Sequence, residues 1–165
     1  MALEIEKRFL IKNNNWEKYI VSKSYIEQGY FNSNDDGWII RIRYENKKYK
    51  ITFKKHIVNS SCLEFEYEIP TNDGEPILSS LTNRIRKERF YLDINNKDWI
   101  VDRFKGENFP LEIAEVELND DKEKIHIPSF LSKEITGLKI FSNFQLSKKS
   151  FSKWSEQELK NLITH

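Results

Sequence analysis

Glu4-Ile5-Glu6-Lys7-Arg8-Phe9 sets Glu4, Glu6 and Arg8 two residues apart, and Glu115-Val116-Glu117 repeats the spacing about a hundred residues later. A β-strand sends successive side chains to opposite faces. Glu4, Glu6 and Arg8 therefore share one face, with Leu3, Ile5 and Phe9 on the other. If the apolar face is the packed one, the charged face lines something else. Working outward, Cys62 to Ile69 alternates strictly, with Glu64, Glu66 and Glu68 opposed to Leu63, Phe65, Tyr67 and Ile69. Ala2 to Ile11, Tyr25 to Phe31, Trp38 to Tyr44, Lys48 to Lys55, Ile85 to Leu92, Trp99 to Phe104 and Leu111 to Leu118 complete a set of eight expected strands.

Helices are few. Asn13-Asn14-Asn15 offers an Asn cap before Trp16 to Val21, and Ile77, Leu78 and Leu81 fall at helical spacing within Asp73 to Asn83. Asp120 to Ile135 reads as mixed and helical, broken at Pro128, and Ser155-Glu156-Gln157-Glu158 is a capping box ahead of Leu159, Leu162 and Ile163. Asn32 to Gly37 and His56 to Ser61 read as loops. Short strands joined by tight turns favour an antiparallel barrel, because closure removes exposed edges. The expected class is α+β, mainly β: an eight-stranded antiparallel β-barrel in a single domain over 1–165.

Composition narrows the partners. The 165 residues include 27 Lys and Arg against 26 Asp and Glu, a net charge of +1, so nothing global draws the chain to nucleic acid or an anionic membrane. The positive sets are balanced by carboxylates and form no basic surface stripe, so nucleic acid is not an expected partner. No run of about 18 apolar residues suggests a membrane span. One cysteine, Cys62, builds neither an internal disulfide nor a cysteine zinc site, and charges within the first eight residues leave no apolar signal region, so the cytoplasm is the expected compartment. The three histidines fall in expected loops or at the terminus and are not read as metal ligands.

The charges segregate by sign. Glu4/Glu6, Glu64/Glu66/Glu68 and Glu115/Glu117 are acidic sets; Arg41/Arg43, Lys50/Lys54 and Lys87/Arg89 are basic sets. Residues two apart on a strand stand about 6.6 to 6.8 Å apart, so acidic sets on nearby strands repel unless cations compensate them. Alone, Glu4/Glu6 is an ordinary solvated strand face. Facing inward with the basic sets, it describes a lumen that holds a polyanion by its oxygens and hard divalent metal by carboxylates, as phosphoryl transfer requires.

Glu4-x-Glu6-x-Arg8, Gln28-Gly29-Tyr30, Arg41-x-Arg43, Lys54, Glu66-x-Glu68, Lys87-x-Arg89, Asp102 and Glu115-x-Glu117 resemble, in order and spacing, the CYTH superfamily of triphosphate tunnel metalloenzymes. The resemblance implies that the eight-stranded antiparallel β-barrel forms a charged tunnel, with helices packed outside, and it implies metal ligation (Mg²⁺ or Mn²⁺) by Glu4, Glu6, Asp102, Glu115 and Glu117. It implies phosphate binding by Arg8, Arg41, Arg43, Lys54, Lys87 and Arg89, with Glu66 and Glu68 in the lumen as further catalytic groups beside Glu4, Glu6 and Arg8. The implied activity is metal-dependent hydrolysis of a triphosphate-containing small molecule, with release of orthophosphate. Class IV adenylate cyclase activity on ATP and a non-catalytic polyphosphate or nucleotide sensor remain the alternatives, and a homodimer is expected because related proteins are often dimers. Two positions depart from the pattern. Arg8 stands where the family usually has Lys, and Leu138-Lys139-Ile140-Phe141-Ser142-Asn143 stands where relatives often carry Asp and Arg ahead of Tyr-x-Asn. Lys139 is expected to replace part of the missing charge.

Overall fold

The computed structural model describes residues 3–32, 36–58, 61–120 and 122–163, and only the backbone of Leu3, Glu4, Val58, Ser61 and Ile163. The expected strand start at Ala2 and the centre of the Asn32–Gly37 turn lie outside the described residues. Among the described residues nine strands form the sheet: β1 (Leu3–Ile11), β2 (Ile20–Tyr30), β3 (Ile39–Glu45), β4 (Lys48–Val58), β5 (Ser61–Ile69), β6 (Asn83–Ile94), β7 (Lys97–Phe104), β8 (Glu112–Glu117) and β9 (Leu131–Glu134). Their order is β5-β4-β3-β2-β6-β7-β8-β1-β9, every pairing with a stated register is antiparallel, and β1 also pairs with β5 through Leu3–Leu63, Glu4–Cys62 and Ile5–Ser61. The first eight strands thus run in a circuit around a central space, as expected. The ninth corrects the expected helix between Asp120 and Ile135. That segment supplies β9, which pairs with β1 at Phe9–Glu134 and Ile11–Leu131, beyond the stretch where β1 meets β5.

Local chemistry explains the turns. Asn46 and Lys47 join β3 to β4, and Asn95 and Asn96 join β6 to β7, all with φ between 50° and 64°. Two successive left-handed residues make the mirror-image turn that follows strand twist, and asparagine tolerates that conformation best after glycine. Asn13 accepts the Asn15 N–H at 3.0 Å, but the short helix it caps is a single 3-10 segment, Asn14–Tyr19, and β2 begins at Ile20, earlier than expected. The His56–Ser61 loop also contracts: His56 belongs to β4.

Packing outside the circuit fixes its shape. One apolar cluster joins Phe9, Trp16, Phe90, Trp99, Val101, Val116 and Phe130, the last from the segment leading into β9. A second joins Tyr30, Ile85, Phe104 and Ile113 to Phe141, Phe144, Leu146 and Trp154 near the carboxyl end. Helix α1 (Thr71–Ser80) covers Ile42 and Tyr49 with Leu78. No helix among the described residues is long and apolar enough to cross a membrane. Helices α2 (Asn143–Lys148) and α3 (Glu156–Ile163) end the chain, and the capping box forms as expected: Ser155 Oγ accepts the Glu158 N–H at 3.2 Å while Glu158 accepts the Ser155 N–H at 2.7 Å.

Glycine lets α1 approach the sheet. A Cβ on Gly29 of β2 would stand 2.8 Å from Leu81, and one on Gly74 of α1 would stand 2.3 Å from Tyr49 Cβ and Cγ. Tyr49 Cβ is fixed to the backbone of β4 and cannot swing aside. Alanine is intrinsically the better helix former by about 1 kcal/mol, so a loss on substitution reports the contact. Gly74→Ala is expected to destabilise the protein by about 1–3 kcal/mol in urea unfolding; unchanged stability would show that α1 is not seated as described.

Candidate active site

Among the described residues, six cations and six carboxylates line one central cavity of about 660 Å³: Arg8, Arg41, Arg43, Lys54, Lys87 and Arg89 with Glu6, Glu64, Glu66, Asp98, Glu115 and Glu117. Seven strands contribute to this set, so the expected opposed stripes do share one enclosed space. Register explains the convergence. Arg8 stands opposite Glu115 and Glu6 opposite Glu117 across β1 and β8, while Lys50, Thr52 and Lys54 stand opposite Glu68, Glu66 and Glu64 across β4 and β5.

Most of the carboxylates hold cations. Glu115 binds Arg8 Nε at 3.0 Å and Arg89 at 3.3 Å. Asp102, almost wholly buried behind the wall, binds Lys87 Nζ at 2.5 Å and takes both arms of Arg89 at 2.8 Å. Glu64 bridges Arg41 at 3.2 Å and Lys54 at 3.1 Å. Glu66 accepts from Lys50 at 2.7 Å, from Thr52 at 3.0 Å and from Arg41 at 3.5 Å. Three cavity carboxylates behave differently. Glu6 and Glu117 face each other across the β1–β8 ladder and make no hydrogen bond or ion pair with the described residues. Asp98, not among the expected site residues, likewise pairs with none of them and extends this acidic edge on β7, since Trp99 pairs with Val116 next to Glu117.

Ionisation follows the pairing. Burial raises the Glu6 carboxyl above its ordinary range, and the charge of Glu115 adds to the rise against the opposing effects of Lys54 and Arg8. Burial also pushes Asp102 and Glu115 up, but Arg89 and Lys87 overcome it for Asp102, and Arg8 with Arg89 for Glu115, so both end below the usual range. Lys87 is brought down to about 8 by burial, with Asp102 opposing. Glu66 is held at about 2: burial raises it, and Lys50, Arg43 and Arg41 more than reverse that effect.

Other expected residues lie outside the cavity wall. Glu68 is exposed and pairs with Lys48 at 2.9 Å. Lys139 is exposed in a 3-10 turn (Lys139–Phe141), and its charge acts with burial and Lys54 to lower the pKa of His56. The Glu4 side chain lies outside the described residues. Conversely, His56 lines the cavity from β4, which the loop reading could not show. Glu45 was also missed. It accepts from Arg43 at 2.6 and 3.0 Å, from Tyr91 at 2.8 Å and from Ser24, so it fixes Arg43 from behind. Its signal was available in the period-two continuation Arg41-x-Arg43-x-Glu45.

The inorganic triphosphatase of Acetivibrio thermocellus is 34% identical to this chain over 158 residues, covering 94% of this chain and 100% of that protein. The chain belongs to the CYTH superfamily. No protein-family model matches it. Solved structures repeat the CYTH fold: inorganic triphosphatase NE1496 superposes with a TM-score of 0.64 at 23% identity, covering 89% of this chain and 95% of that one. A putative adenylate cyclase from Bacillus halodurans superposes at 0.56 with 14% identity over 73% and 84% of the two chains. A putative adenylyl cyclase from Hippeastrum with a dominant triphosphatase activity superposes at 0.54 with 13% identity over 73% and 80%.

The Glu66 network has a measurable signature. Its folded pKa of about 2 lies below the ordinary 4.5, so between those values the unfolded chain binds the proton that the folded chain refuses. The stabilisation is complete above about 4.5 and is lost as pH falls through about 2. Urea unfolding should therefore show the stability gap between the native protein and Glu66→Gln closing as pH falls across that window. A gap independent of pH would contradict the pairing.

Proposed function

We propose that this CYTH protein hydrolyses an inorganic triphosphate, one water being consumed as the terminal P–O–P bridge breaks and orthophosphate and pyrophosphate leave. The observation that carries the reading is the mixed wall: among the described residues, six cations line a cavity with six carboxylates, three of which, Glu6, Asp98 and Glu117, have no protein partner. A chain of phosphates suits the cations, and a divalent cation suits the unpaired carboxylates.

Arg41, Arg43, Lys54, Lys87, Arg89 and Arg8 would hold phosphoryl oxygens. The arginines give planar forks and the lysines point charges. Arg8 replaces the lysine usual in the family; with its Nε on Glu115 and an Nη2 on the Phe141 carbonyl at 3.3 Å, it is more tightly oriented than an ammonium would be. Glu45, Glu64, Glu66, Asp102 and Glu115 would keep these cations aimed before substrate arrives. Such preorganisation lowers the cost of meeting charge that develops on the phosphoryl oxygens.

The donor set fits a hard cation such as Mg²⁺ or Mn²⁺. Glu6 and Glu117 offer carboxylate oxygens, the ligands these metals prefer. Among the described residues no three His, Cys, Asp or Glu side chains form a metal group, and Glu4 is the expected additional ligand. Asp102 and Glu115 are better assigned to anchoring than to ligation, because each already spends its oxygens on two cations. A metal held at Glu6 and Glu117 would neutralise phosphoryl charge and acidify water.

Purified protein should release orthophosphate from tripolyphosphate in the presence of Mg²⁺ or Mn²⁺, and Glu6→Gln should abolish that turnover while remaining folded. Arg41→Ala should chiefly raise KM. Cyclic AMP with pyrophosphate from ATP, and no orthophosphate from tripolyphosphate, would select the cyclase instead; tight binding without turnover would select a sensor. Full activity in Glu6→Gln would refute the ligand assignment.

A further inference from the structure

A second cavity, of about 450 Å³, lies where the start of β6 meets the turn after β7 and the segment from α2 to Lys153, and it shares no lining residue with the central one. Alternation along β6 explains the separation. Lys87 and Arg89 reach the central cavity, whereas Arg84 and Arg86 fall on the opposite face and are exposed.

Its charge balance differs from that of the central cavity. Among the described residues, five cations line it, Arg84, Arg86, Lys105, Lys148 and Lys153, against two carboxylates, Glu27 and Glu107. Arg84 pairs with Glu27 at 2.5 Å, Lys153 with Glu107 at 3.2 Å, and Lys105 with Glu88 at 2.5 Å. Arg86 and Lys148 are exposed and make no ion pair with a described residue. Lys148 Nζ stands 4.2 Å from the ring centre of Phe144, a ring face in place of a carboxylate. Like charges gathered in one concavity raise the local potential and concentrate anions there.

The frame that carries these cations is tied together. Buried Asn108 donates from Nδ2 to the Leu146 carbonyl at 3.4 Å and accepts the Phe151 N–H on Oδ1 at 2.8 Å, which joins the turn after β7 to the carboxyl-terminal segment. The Lys105 N–H donates to the Arg86 carbonyl at 2.9 Å, which joins that turn to β6. Gly106, with φ 61°, passes close under Arg86: a Cβ there would stand 3.2 Å from Arg86 Nη2. A carboxylate presents two oxygens in one plane and is matched by a single guanidinium fork. Donors that converge from three segments suit an anion whose oxygens point in several directions, and the space is larger than a single orthophosphate.

We propose that this outer pocket is a second anion site, which takes a short phosphate chain such as pyrophosphate between Arg86, Lys148 and the three paired cations. It goes beyond hydrolysis in the central cavity and does not rest on it.

The test follows amide NMR spectra of the metal-free protein as pyrophosphate is added at constant ionic strength, for the native chain and for an Arg86→Ala/Lys148→Ala double variant. Saturable shifts are expected at Gly106, Glu107 and Ser147 of the native protein. In the double variant their midpoint should rise by about 10- to 100-fold, the range expected for losing a hydrogen bond to a charged group, while KM for tripolyphosphate with metal keeps its native value. Lys148→Glu alone should also raise the midpoint, so the assignment stays testable if the Arg86 change disturbs packing. Absence of shifts at these amides overturns the proposal, as does one midpoint shared by the native protein and both variants, or a KM that rises in step with the midpoint. Citrate binding with the midpoint of pyrophosphate overturns the phosphoryl assignment. Protein that shows the shifts but releases no orthophosphate from tripolyphosphate sinks the hydrolysis reading alone, and protein that hydrolyses without the shifts sinks the outer site alone.

Discussion

Taking an ammonium or guanidinium out of water is strongly unfavourable unless a carboxylate meets it and its remaining donors are satisfied. The interior of this barrel is built around that requirement. Arg8 and Arg89 share Glu115, Lys87 and Arg89 share Asp102, Arg41 and Lys54 share Glu64, and Arg43 rests on Glu45. Each shared carboxylate ties two strands together or fixes an arm against its own strand, so the charges that would otherwise force the sheet open help to hold its register. Breaking one member would leave a buried charge without compensation.

The same pairing prepares the cavity for a guest. Among the described residues the wall carries equal numbers of cations and carboxylates, so net charge is not what draws a highly charged anion to it. It offers instead a set of donors that are already aimed, together with Glu6 and Glu117, whose carboxylates have no internal cation of their own. In the proposed reading, divalent metal at the acidic edge and phosphate at the basic stripes would complete each other's neutralisation.

Period-two spacing made much of this legible in the sequence. Glu6, Arg8, Arg41, Arg43, Lys54, Glu66, Lys87, Arg89, Glu115 and Glu117 all reach the cavity because alternation assigns a side chain to a face without needing its neighbours. Partner choice was not legible. Arg8 meets Glu115 across 107 positions and Arg89 meets Asp102 across 13, and only strand register decides which carboxylate serves as anchor and which stays unpaired. The strand at Leu131–Glu134 was hidden for a related reason: four residues are too short for a period, and pairing with β1 sets their conformation. Glu68 shares the face of Glu64 and Glu66 yet pairs with Lys48 at the exposed end of the strand, because alternation fixes the face and not the depth.

The most direct test of the account is a crystal structure of the protein with Mn²⁺ and tripolyphosphate, in a slowly turning variant such as Lys54→Ala, with manganese located by its anomalous scattering. The account predicts an anomalous peak at the oxygens of Glu6 and Glu117, with phosphate density among Arg41, Arg43 and Arg89. Manganese and phosphate both found outside the barrel, with the internal ion pairs undisturbed, would contradict it.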